Sequence, residues 1–367
     1  MRSQSMAGAF LALVSLVAAQ THTVCDPTKK DCPPNPAFGG SIDIDYTKGK
    51  NDFFTELPGT TLTYDKSKGA VFSIANEKQA PTIESSEFIF FGKVEVELMV
   101  APGAGIVTSI VLQSLTLDEI DWEWLGGDAH HVQTNYFSKG DTTTYDRGGM
   151  HDISNPFTEF HTYTIEWTKE ALTWSVNGNP VRTLTYQDAK GGKTYPQTPM
   201  QVKLGSWVAG RSDAPQGTVE WAGGLANFDN GPSHAYYRRI AVTDYAGGVK
   251  GAKQYIYSDR SGTWESIDID TENGGVVNKG GKNDDDEEST STSASASASA
   301  SASATKNSTS EATPTPSGTE DDADSDANAS DSANPPAQTD PSGSVSIQAL
   351  TLAGVAISGL AIFANLL

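Results

Sequence analysis

Residues 118–126 read Asp-Glu-Ile-Asp-Trp-Glu-Trp-Leu-Gly, and polar and apolar side chains alternate along this run. Because successive side chains of a β-strand point to opposite faces, the alternation predicts a strand. The three carboxylates Glu119, Asp121 and Glu123 then share one face, and the isoleucine and tryptophans between them share the other. The apolar face suits a protein core. Three like charges in a row repel each other, so the carboxylate face is not explained by stability.

The row is explained if the carboxylates take part in chemistry. A retaining glycosidase uses a carboxylate nucleophile and a protonated carboxylic acid roughly 5–5.5 Å apart across one sugar ring. On a strand, the Cα atoms of Glu119 and Glu123 are roughly 13 Å apart, and side chains that lean together can close much of that gap. Asp121 between them would hold the nucleophile and adjust the pKa values of both neighbours. The alternative is a solvated acidic edge strand.

The run resembles the active-site signature of glycoside hydrolase family 16, in the form Glu-(Ile/Leu/Val)-Asp-x-Glu. Further motifs similar to those of the family follow in the expected order, at residues 133–137, 160–167, 176–178 and 221–224. Together with the signals at the two ends of the chain, they make the sequence most similar to the Crh group of fungal cell-wall chitin–glucan transglycosylases. The resemblance covers roughly residues 37–270.

This resemblance implies an all-β fold, a jelly-roll sandwich of two curved antiparallel sheets whose concave sheet forms an open substrate cleft. It also implies that Glu119 attacks β-1,4-linked chitin, that Glu123 is the acid and base, and that the glycosyl group passes to a β-glucan or chitin acceptor. Two alternatives use the same scaffold: a β-glucanase or chitinase-type hydrolase, and a non-catalytic glycan-binding wall protein. No cofactor and no metal cluster are expected.

The pattern of residues 37–270 supports the same fold class. Residues 93–100 alternate cleanly, which predicts a strand with its valines and leucine inward. Clusters of Gly, Pro, Asn and Asp separate further strand-like segments. These lie near residues 88–91, 105–112, 161–167, 172–176, 202–207 and 236–243. No segment shows helical periodicity of useful length, so many short strands predict a sandwich or jelly roll.

Strand parity and the family motifs predict which other side chains bind substrate. The amides can hydrogen-bond sugar hydroxyls, the indoles can stack on a pyranose, and a glycine at position 205 leaves room for a sugar. Surface amides and core-packed tryptophans are the alternatives, and His161 is interpreted as structural. Thr218 and Trp221 are placed in the next cleft segment by family analogy, and on a strand their side chains would point to opposite faces. The predicted set is Gln133, Asn135, Lys203, Trp207, Thr218 and Trp221.

The N-terminus carries a secretion signal. Residues 1–19 combine an early arginine, an apolar run too short for a transmembrane helix, and a small-residue cleavage site. Secretion makes the only two cysteines of the chain, Cys25 and Cys32, predicted disulfide partners in an N-terminal arm at residues 20–36. Two cysteines without a nearby histidine pair do not suit a zinc site.

Composition changes sharply after residue 270. The formal net charge of −21 argues against nucleic acid as a partner. Thirteen acidic residues and one lysine between positions 284 and 340 give this segment −12 of that charge, so the folded part is only mildly acidic, as suits a neutral polysaccharide. Residues 271–344 are predicted to be a disordered, glycosylated linker, with N-glycosylation motifs at Asn307 and Asn328.

The chain ends in an apolar segment, residues 345–367, with no basic residue after it. Small residues and a polar spacer before this segment predict a GPI-anchor signal, and a tail-anchored transmembrane helix is the alternative. The predicted protein is therefore a secreted monomer, attached through a GPI anchor to the plasma membrane and located at the cell wall.

Overall fold

The structure is a computed structural model that describes residues 23–144 and 146–277. The secretion signal, most of the linker with Asn307 and Asn328, and the anchor signal lie outside these described residues. Within them the chain is almost entirely β-structure, and every strand pairing is antiparallel apart from one isolated bridge. The predicted all-β sandwich is confirmed.

The first sheet, called the site sheet here, carries the carboxylate strand near one of its edges. Its strand order is β11-β10-β9-β8-β15-β6-β3. The strands are β3 (Phe54–Glu56), β6 (Thr82–Ser85), β8 (Ile106–Ser114), β9 (Glu119–Leu125), β10 (His131–Phe137), β11 (Gly149–Asp152) and β15 (Met200–Val208).

The second sheet, called the back sheet here, has the order β14-β13-β12-β7-β16-β5-β4, and β2 also pairs with β16. Its strands are β2 (Ser41–Asp45), β4 (Thr63–Asp65), β5 (Gly69–Ile74), β7 (Gly92–Met99), β12 (His161–Trp167), β13 (Ala171–Val176), β14 (Asn179–Thr185) and β16 (Ser233–Asp244). Side chains of the two sheets interdigitate to form one large hydrophobic core, in which the inward valines and leucine of β7 are buried as predicted.

A third, smaller sheet was not predicted. It consists of β1 (Asn35–Pro36), β17 (Ala252–Tyr257), β18 (Ile267–Thr271) and β19 (Val276–Val277). Asp244, at the end of β16, accepts hydrogen bonds of 2.8 Å from the backbone N–H groups of Gly39, Phe90 and Ala246, and another from the hydroxyl of Tyr255. This one buried carboxylate therefore ties the third sheet to the sandwich.

Two local predictions are wrong. Residues 88–91 contribute only isolated bridges at Phe88 and Ile89 rather than a strand, and Phe91 has a φ of 58° that a regular strand excludes. Thr218 and Trp221, which were given opposite strand parity, lie instead in the short helix α1 (Gln216–Trp221), which begins after Pro215. The other helical pieces of the described residues are single 3-10 turns at Tyr46–Lys48, Ala246–Gly248 and Trp264–Ser266. No helix within the described ranges is long and apolar enough to cross a bilayer.

The predicted disulfide between Cys25 and Cys32 is present and closes a loop near the start of the described residues. Arg260 fastens this loop to the turn between β17 and β18, because its guanidinium donates to the carbonyl oxygens of Pro27 and Lys30. The arm is therefore docked on the domain by side-chain contacts as well as closed by the covalent bridge.

Candidate active site

The carboxylate row lies on the outer face of the site sheet, opposite the core. On this face β9 pairs with β8 on one side and with β10 on the other. The cross-strand neighbours are Gln113 and Phe137 for Glu119, Val111 and Asn135 for Asp121, and Ser109 and Gln133 for Glu123. All three carboxylates are buried, with exposed fractions of only 1–2%. The solvated edge strand is thus excluded, and β9 is an interior strand of its sheet.

The core side of β9 fixes its position against the back sheet. Trp122 and Trp124 are buried, and the indole N–H of Trp122 donates to the carbonyl of Thr164 on β12 at 3.3 Å. From β13, the indole N–H of Trp174 donates to the backbone carbonyl of Asp121 at 3.1 Å. Two indole hydrogen bonds therefore link the middle of the carboxylate strand to the opposite sheet, which limits its movement.

The start of β9 is held by Asp118, a buried carboxylate that points away from the row. One of its oxygens accepts from the backbone N–H of Lys139, and the other accepts from the backbone N–H groups of Gln197 and Thr198 and from the Thr198 hydroxyl, at 2.8–3.1 Å. Leu117, one residue earlier, has a φ of 64°, an uncommon conformation for a branched side chain. Asp118 thus anchors the tight turn that delivers Glu119 to the outer face.

Glu119 and Asp121 differ in their hydrogen bonds. The side-chain amide of Gln113 donates to Glu119 Oε2 at 2.7 Å, and a hydrogen bond from a donor favours the ionised carboxylate. Among the described residues no donor reaches either oxygen of Asp121. Burial, then the charges of Glu119 and Glu123, and a hydrogen bond to Glu119 raise the pKa of Asp121 well above its ordinary value. Each of these causes favours the protonated form of Asp121.

Glu123 has the environment of a proton donor. Burial, followed by the charge of Glu119, raises the pKa of Glu123 from an ordinary 4.5 to about 8. Its Oε1 atom has no hydrogen-bond partner within the described part of the chain, and neither has the hydroxyl of its cross-strand neighbour Ser109. Buried polar atoms without partners are rare in folded proteins, and here two of them lie side by side on paired strands of the outer face.

The two predicted amides lie beside the carboxylate row, as strand parity indicated. Gln133 is paired with Glu123, and its Oε1 accepts from the indole N–H of Trp221 at 3.1 Å. Asn135 is paired with Asp121 and is 5% exposed. The structure brings both next to the carboxylate row, and sugar binding by them stays a prediction.

Trp207 and Trp221 pack against each other on the outer face. Their ring centroids are 6.1 Å apart with near-parallel planes, and a small cluster with Val107 and Ala209 surrounds them. Trp221 comes from α1 and Trp207 from β15, and both are buried, with exposed fractions of 7% and 2%. Sugar stacking by either indole stays a prediction. Thr218 lies one helical turn earlier on α1, partly exposed, on the same side as Trp221 rather than opposite to it.

The charge of Lys203, another predicted binding residue, is paired with protein side chains. Its ammonium lies 3.0 Å from Glu84 Oε2 and donates to Gln113 Oε1 at 3.1 Å. The side chain is 15% exposed. Lys203 is therefore close to the carboxylate row, but its charge is used within the site sheet.

Sequence reasoning missed Gln113 and Asp118. Gln113 stands out only as the longest polar side chain of β8, which also carries Thr108, Ser109 and Ser114, and Asp118 is the first residue of the quoted motif. His161 has the expected structural environment, since its ring contacts the Ser154 carbonyl at 2.8 Å and the Asn177 amide at 3.0 Å. The described residues contain no cluster of His, Cys, Asp or Glu side chains suited to a metal ion.

Comparison with known proteins places this site in a family. The sequence profile of Glycosyl hydrolases family 16 matches residues 44–223. Crh-like protein 5 of Aspergillus fumigatus is 48% identical over 265 residues, 72% of this chain and 66% of that protein. Crh-like protein 3 of the same fungus is 44% identical over 270 residues, 73% of each chain.

A solved structure named "Crh5 transglycosylase in complex with NAG" superposes with a TM-score of 0.64 at 48% identity, and the match covers 67% of this chain and 100% of that chain. The chain spans just under two thirds of the length of Crh-like protein 5 and 59% of that of Crh-like protein 4 of A. fumigatus. From the identity and coverage of these relatives, the chain belongs to glycosyl hydrolase family 16 and, within it, to the Crh-like proteins.

Proposed function

We propose that this protein is a cell-wall transglycosylase that cleaves β-1,4-linked chitin and transfers it to a β-glucan or chitin acceptor by a retaining mechanism. One observation carries the proposal: a buried row on one strand in which Glu119 accepts a hydrogen bond from Gln113, while burial and the charge of Glu119 raise the pKa of Glu123 to about 8. A retaining glycosidase needs this pair of one ionised and one protonated carboxyl group. The Crh-like relatives, one of them named a transglycosylase with bound NAG, support the substrate class.

In the first half-reaction Glu119 attacks the anomeric carbon and Glu123 gives its proton to the departing glycosidic oxygen. The bond from the anomeric carbon to that oxygen breaks as the bond to Glu119 forms. Asp121, protonated, donates to Glu119 and keeps its carboxylate oriented.

Formation of the glycosyl ester removes the charge of Glu119, which is one of the two causes of the raised pKa of Glu123. Glu123 is then a carboxylate whose proton affinity has fallen. It takes the proton of an acceptor hydroxyl as that oxygen attacks the anomeric carbon and displaces Glu119. The acceptor oxygen is bonded to the sugar and Glu123 is protonated again, so the cycle closes.

Transfer is distinguished from hydrolysis by the fate of a label. Incubation with chitin oligomers and a fluorescent β-glucan oligomer should give labelled products of higher mass. Shortened donor without labelled product would make the protein a hydrolase on the same scaffold. Unchanged donor and label would support a glycan-binding protein and overturn the enzymatic proposal.

The roles of the two glutamates can be separated with azide, which occupies the space that a truncated carboxylate leaves. With an aryl β-chitooligoside as donor, Glu119→Ala should form the glycosyl azide of inverted anomeric configuration. Glu123→Ala should form the azide of retained configuration, because its glycosyl-enzyme still forms. The exposed Glu170→Gln variant serves as the control and should behave as wild type. The opposite pair of anomers would exchange the two roles.

The location of the protein belongs to the same proposal. The secretion signal in residues 1–19, the Ser- and Thr-rich segment with Asn307 and Asn328, and the apolar end at 345–367 support a secreted, glycosylated monomer held at the plasma membrane by a GPI anchor. Release of the protein from fungal membranes by a phosphatidylinositol-specific phospholipase tests the anchor. Retention in the membrane after that treatment would favour a transmembrane tail instead.

A further inference from the structure

A chain of polar contacts crosses the outer face of the site sheet and ends at the nucleophile. It begins at Glu84 on β6, passes through Lys203 on β15 at 3.0 Å and Gln113 on β8 at 3.1 Å, and reaches Glu119 on β9 at 2.7 Å. Glu84 is paired directly with Lys203, and Gln113 directly with Glu119. Lys203 and Gln113 are diagonal cross-strand neighbours, a spacing that only long side chains bridge.

The chemistry of the two ends determines how the Gln113 amide is turned. An ammonium group can only donate hydrogen bonds, so Lys203 requires the oxygen of that amide. An ionised carboxylate can only accept, so Glu119 requires its nitrogen. If the amide were reversed, two donors would face each other at Lys203 and two acceptors would face each other at Glu119. The ammonium of Lys203 therefore selects the rotamer in which Gln113 donates to the nucleophile.

We propose that Lys203 is a positioning residue for the nucleophile rather than a sugar ligand: it fixes the Gln113 amide so that Gln113 holds Glu119 ionised and in place. This inference rests on the proposed function and adds to it a residue role outside the three carboxylates. Lys203 acts through Gln113 and does not itself touch the reacting atoms.

The surroundings of Lys203 support this role over direct sugar binding. Its ammonium is already bound to two side-chain oxygens, and only 15% of the side chain is exposed. Glu84 is held in turn by the amide of Gln201, which donates to it at 3.1 Å and to the Ser85 carbonyl at 2.7 Å. Because Glu84 is itself held in place, the ammonium of Lys203 is held in one position and can fix the orientation of the Gln113 amide.

The charged and titratable groups that face Glu119 define what a pH measurement would report. They are Asp121 and Glu123 on its own strand, with Lys203 and Glu84 across the sheet. The acid limb is the low-pH side of the pH–activity profile, where activity is lost as the pH falls. A hydrogen bond from a donor favours the ionised form of Glu119, so loss of the Gln113 donor should move the acid limb to higher pH by roughly half to one pH unit. Loss of a sugar contact would not move the acid limb.

The kinetic test compares Lys203→Met with Gln113→Met. Using an aryl β-chitooligoside, whose good leaving group departs with little help from Glu123, Gln113→Met should lower kcat about tenfold to hundredfold and Lys203→Met about tenfold, with little change in KM. The reason is that Glu119 is the nucleophile of the first step and the leaving group of the second. The double variant should be no slower than Gln113→Met, since both changes remove one interaction. Lys203→Arg, which still donates only, should recover most of the rate.

The matched control is Lys93→Met, which breaks the Lys93–Glu95 ion pair of 3.2 Å on the back sheet. It should leave kcat and the acid limb as in wild type. Where Lys203→Met unfolds because Glu84 is left unpaired, the neutral double variant Glu84→Gln/Lys203→Met carries the same test. A raised KM with unchanged kcat and acid limb, or effects of Lys203 and Gln113 that multiply, would show direct sugar binding and overturn the proposal.

A measurement without substrate separates this inference from the proposed function. The carboxyl ¹³C signal of Glu119, assigned by its loss in Glu119→Gln, can be titrated in each variant. Its midpoint should move up in Gln113→Met and in Lys203→Met, and stay in Lys93→Met. Unmoved midpoints would overturn the positioning role even if transfer is observed. Moved midpoints in a protein that does not transfer chitin would keep the role and reject the proposed substrate.

Discussion

Replacing Glu123 by Gln should make the folded protein more stable at neutral and alkaline pH. Glu123 is 2% exposed, and burial together with the charge of Glu119 raises its pKa from 4.5 to about 8. Between these two values the folded protein binds a proton that the unfolded chain releases. The free energy of unfolding of the wild type therefore falls as the pH rises through this interval, while glutamine has no proton to lose.

The size of the effect follows from the same two pKa values. Each pH unit between them changes the free energy of unfolding by about 1.4 kcal/mol. The interval from 4.5 to about 8 thus gives a ceiling of about 5 kcal/mol at pH 8 and above. Below pH 4.5 the Glu123 side chain is protonated in both states, so the variant and the wild type should have similar stability.

Urea unfolding from pH 4.5 to 8.5, followed by tryptophan fluorescence, measures this difference. The gap between Glu123→Gln and wild type should widen with pH up to about 8 and then level off, and the exposed Glu170→Gln variant should show no such widening. A gap that is constant across this range would refute the reasoning, because it would mean that Glu123 titrates alike in the folded and unfolded states. The variant should at the same time lose transfer of donors with poor leaving groups.

Three further changes test other contacts of the site. Asp118→Asn places an amide N–H against backbone donors and should lower the free energy of unfolding by about 1–3 kcal/mol in thermal or urea unfolding. Trp221→Phe removes the 3.1 Å hydrogen bond to Gln133 and should lower kcat/KM about fivefold in the labelled-acceptor assay, the equivalent of about 1 kcal/mol. Cys25→Ser/Cys32→Ser opens a short loop and should lower the free energy of unfolding by about 2 kcal/mol without changing the transfer rate.

Strand parity predicted the most important feature of the site. The alternation in residues 118–126 put Glu119, Asp121 and Glu123 on one face, and the structure has them on the outer face of an interior strand. The prediction succeeds because side-chain direction on a strand depends only on local geometry. The same local rule placed Gln133 and Asn135 beside the carboxylates.

What the sequence did not reveal depends on contacts between distant segments. Whether Trp221 lies on a strand or a helix is not decided by six residues with one glycine, and the error reversed its relation to Thr218. The environment of Lys203 follows from which strands neighbour β15, since Glu84 and Gln113 come from positions far earlier in the chain. Pairing partners at that separation are set by the whole sheet, so the ammonium could be placed on the correct face but not given its partners.

The fold tolerates three buried carboxylates because they are not all charged. Two adjacent negative charges at about 4 Å repel by roughly 4 kcal/mol in a protein-like environment, which a fully ionised row would incur more than once. Raised pKa values favour the protonated forms of Asp121 and Glu123, and the hydrogen bond from Gln113 favours the ionised form of Glu119.

The carboxylate row still lowers the folding stability of the ligand-free protein. Oε1 of Glu123 and the hydroxyl of Ser109 have no hydrogen-bond partner in the described residues, and a buried polar group without a partner costs about 1–3 kcal/mol. In the proposed second half-reaction, the acceptor hydroxyl would supply a donor to Glu123. Groups without partners lower the stability of the ligand-free protein, and a ligand that pairs with them gains the same free energy on binding. The carboxylate row is therefore better explained by a functional role than by a contribution to stability.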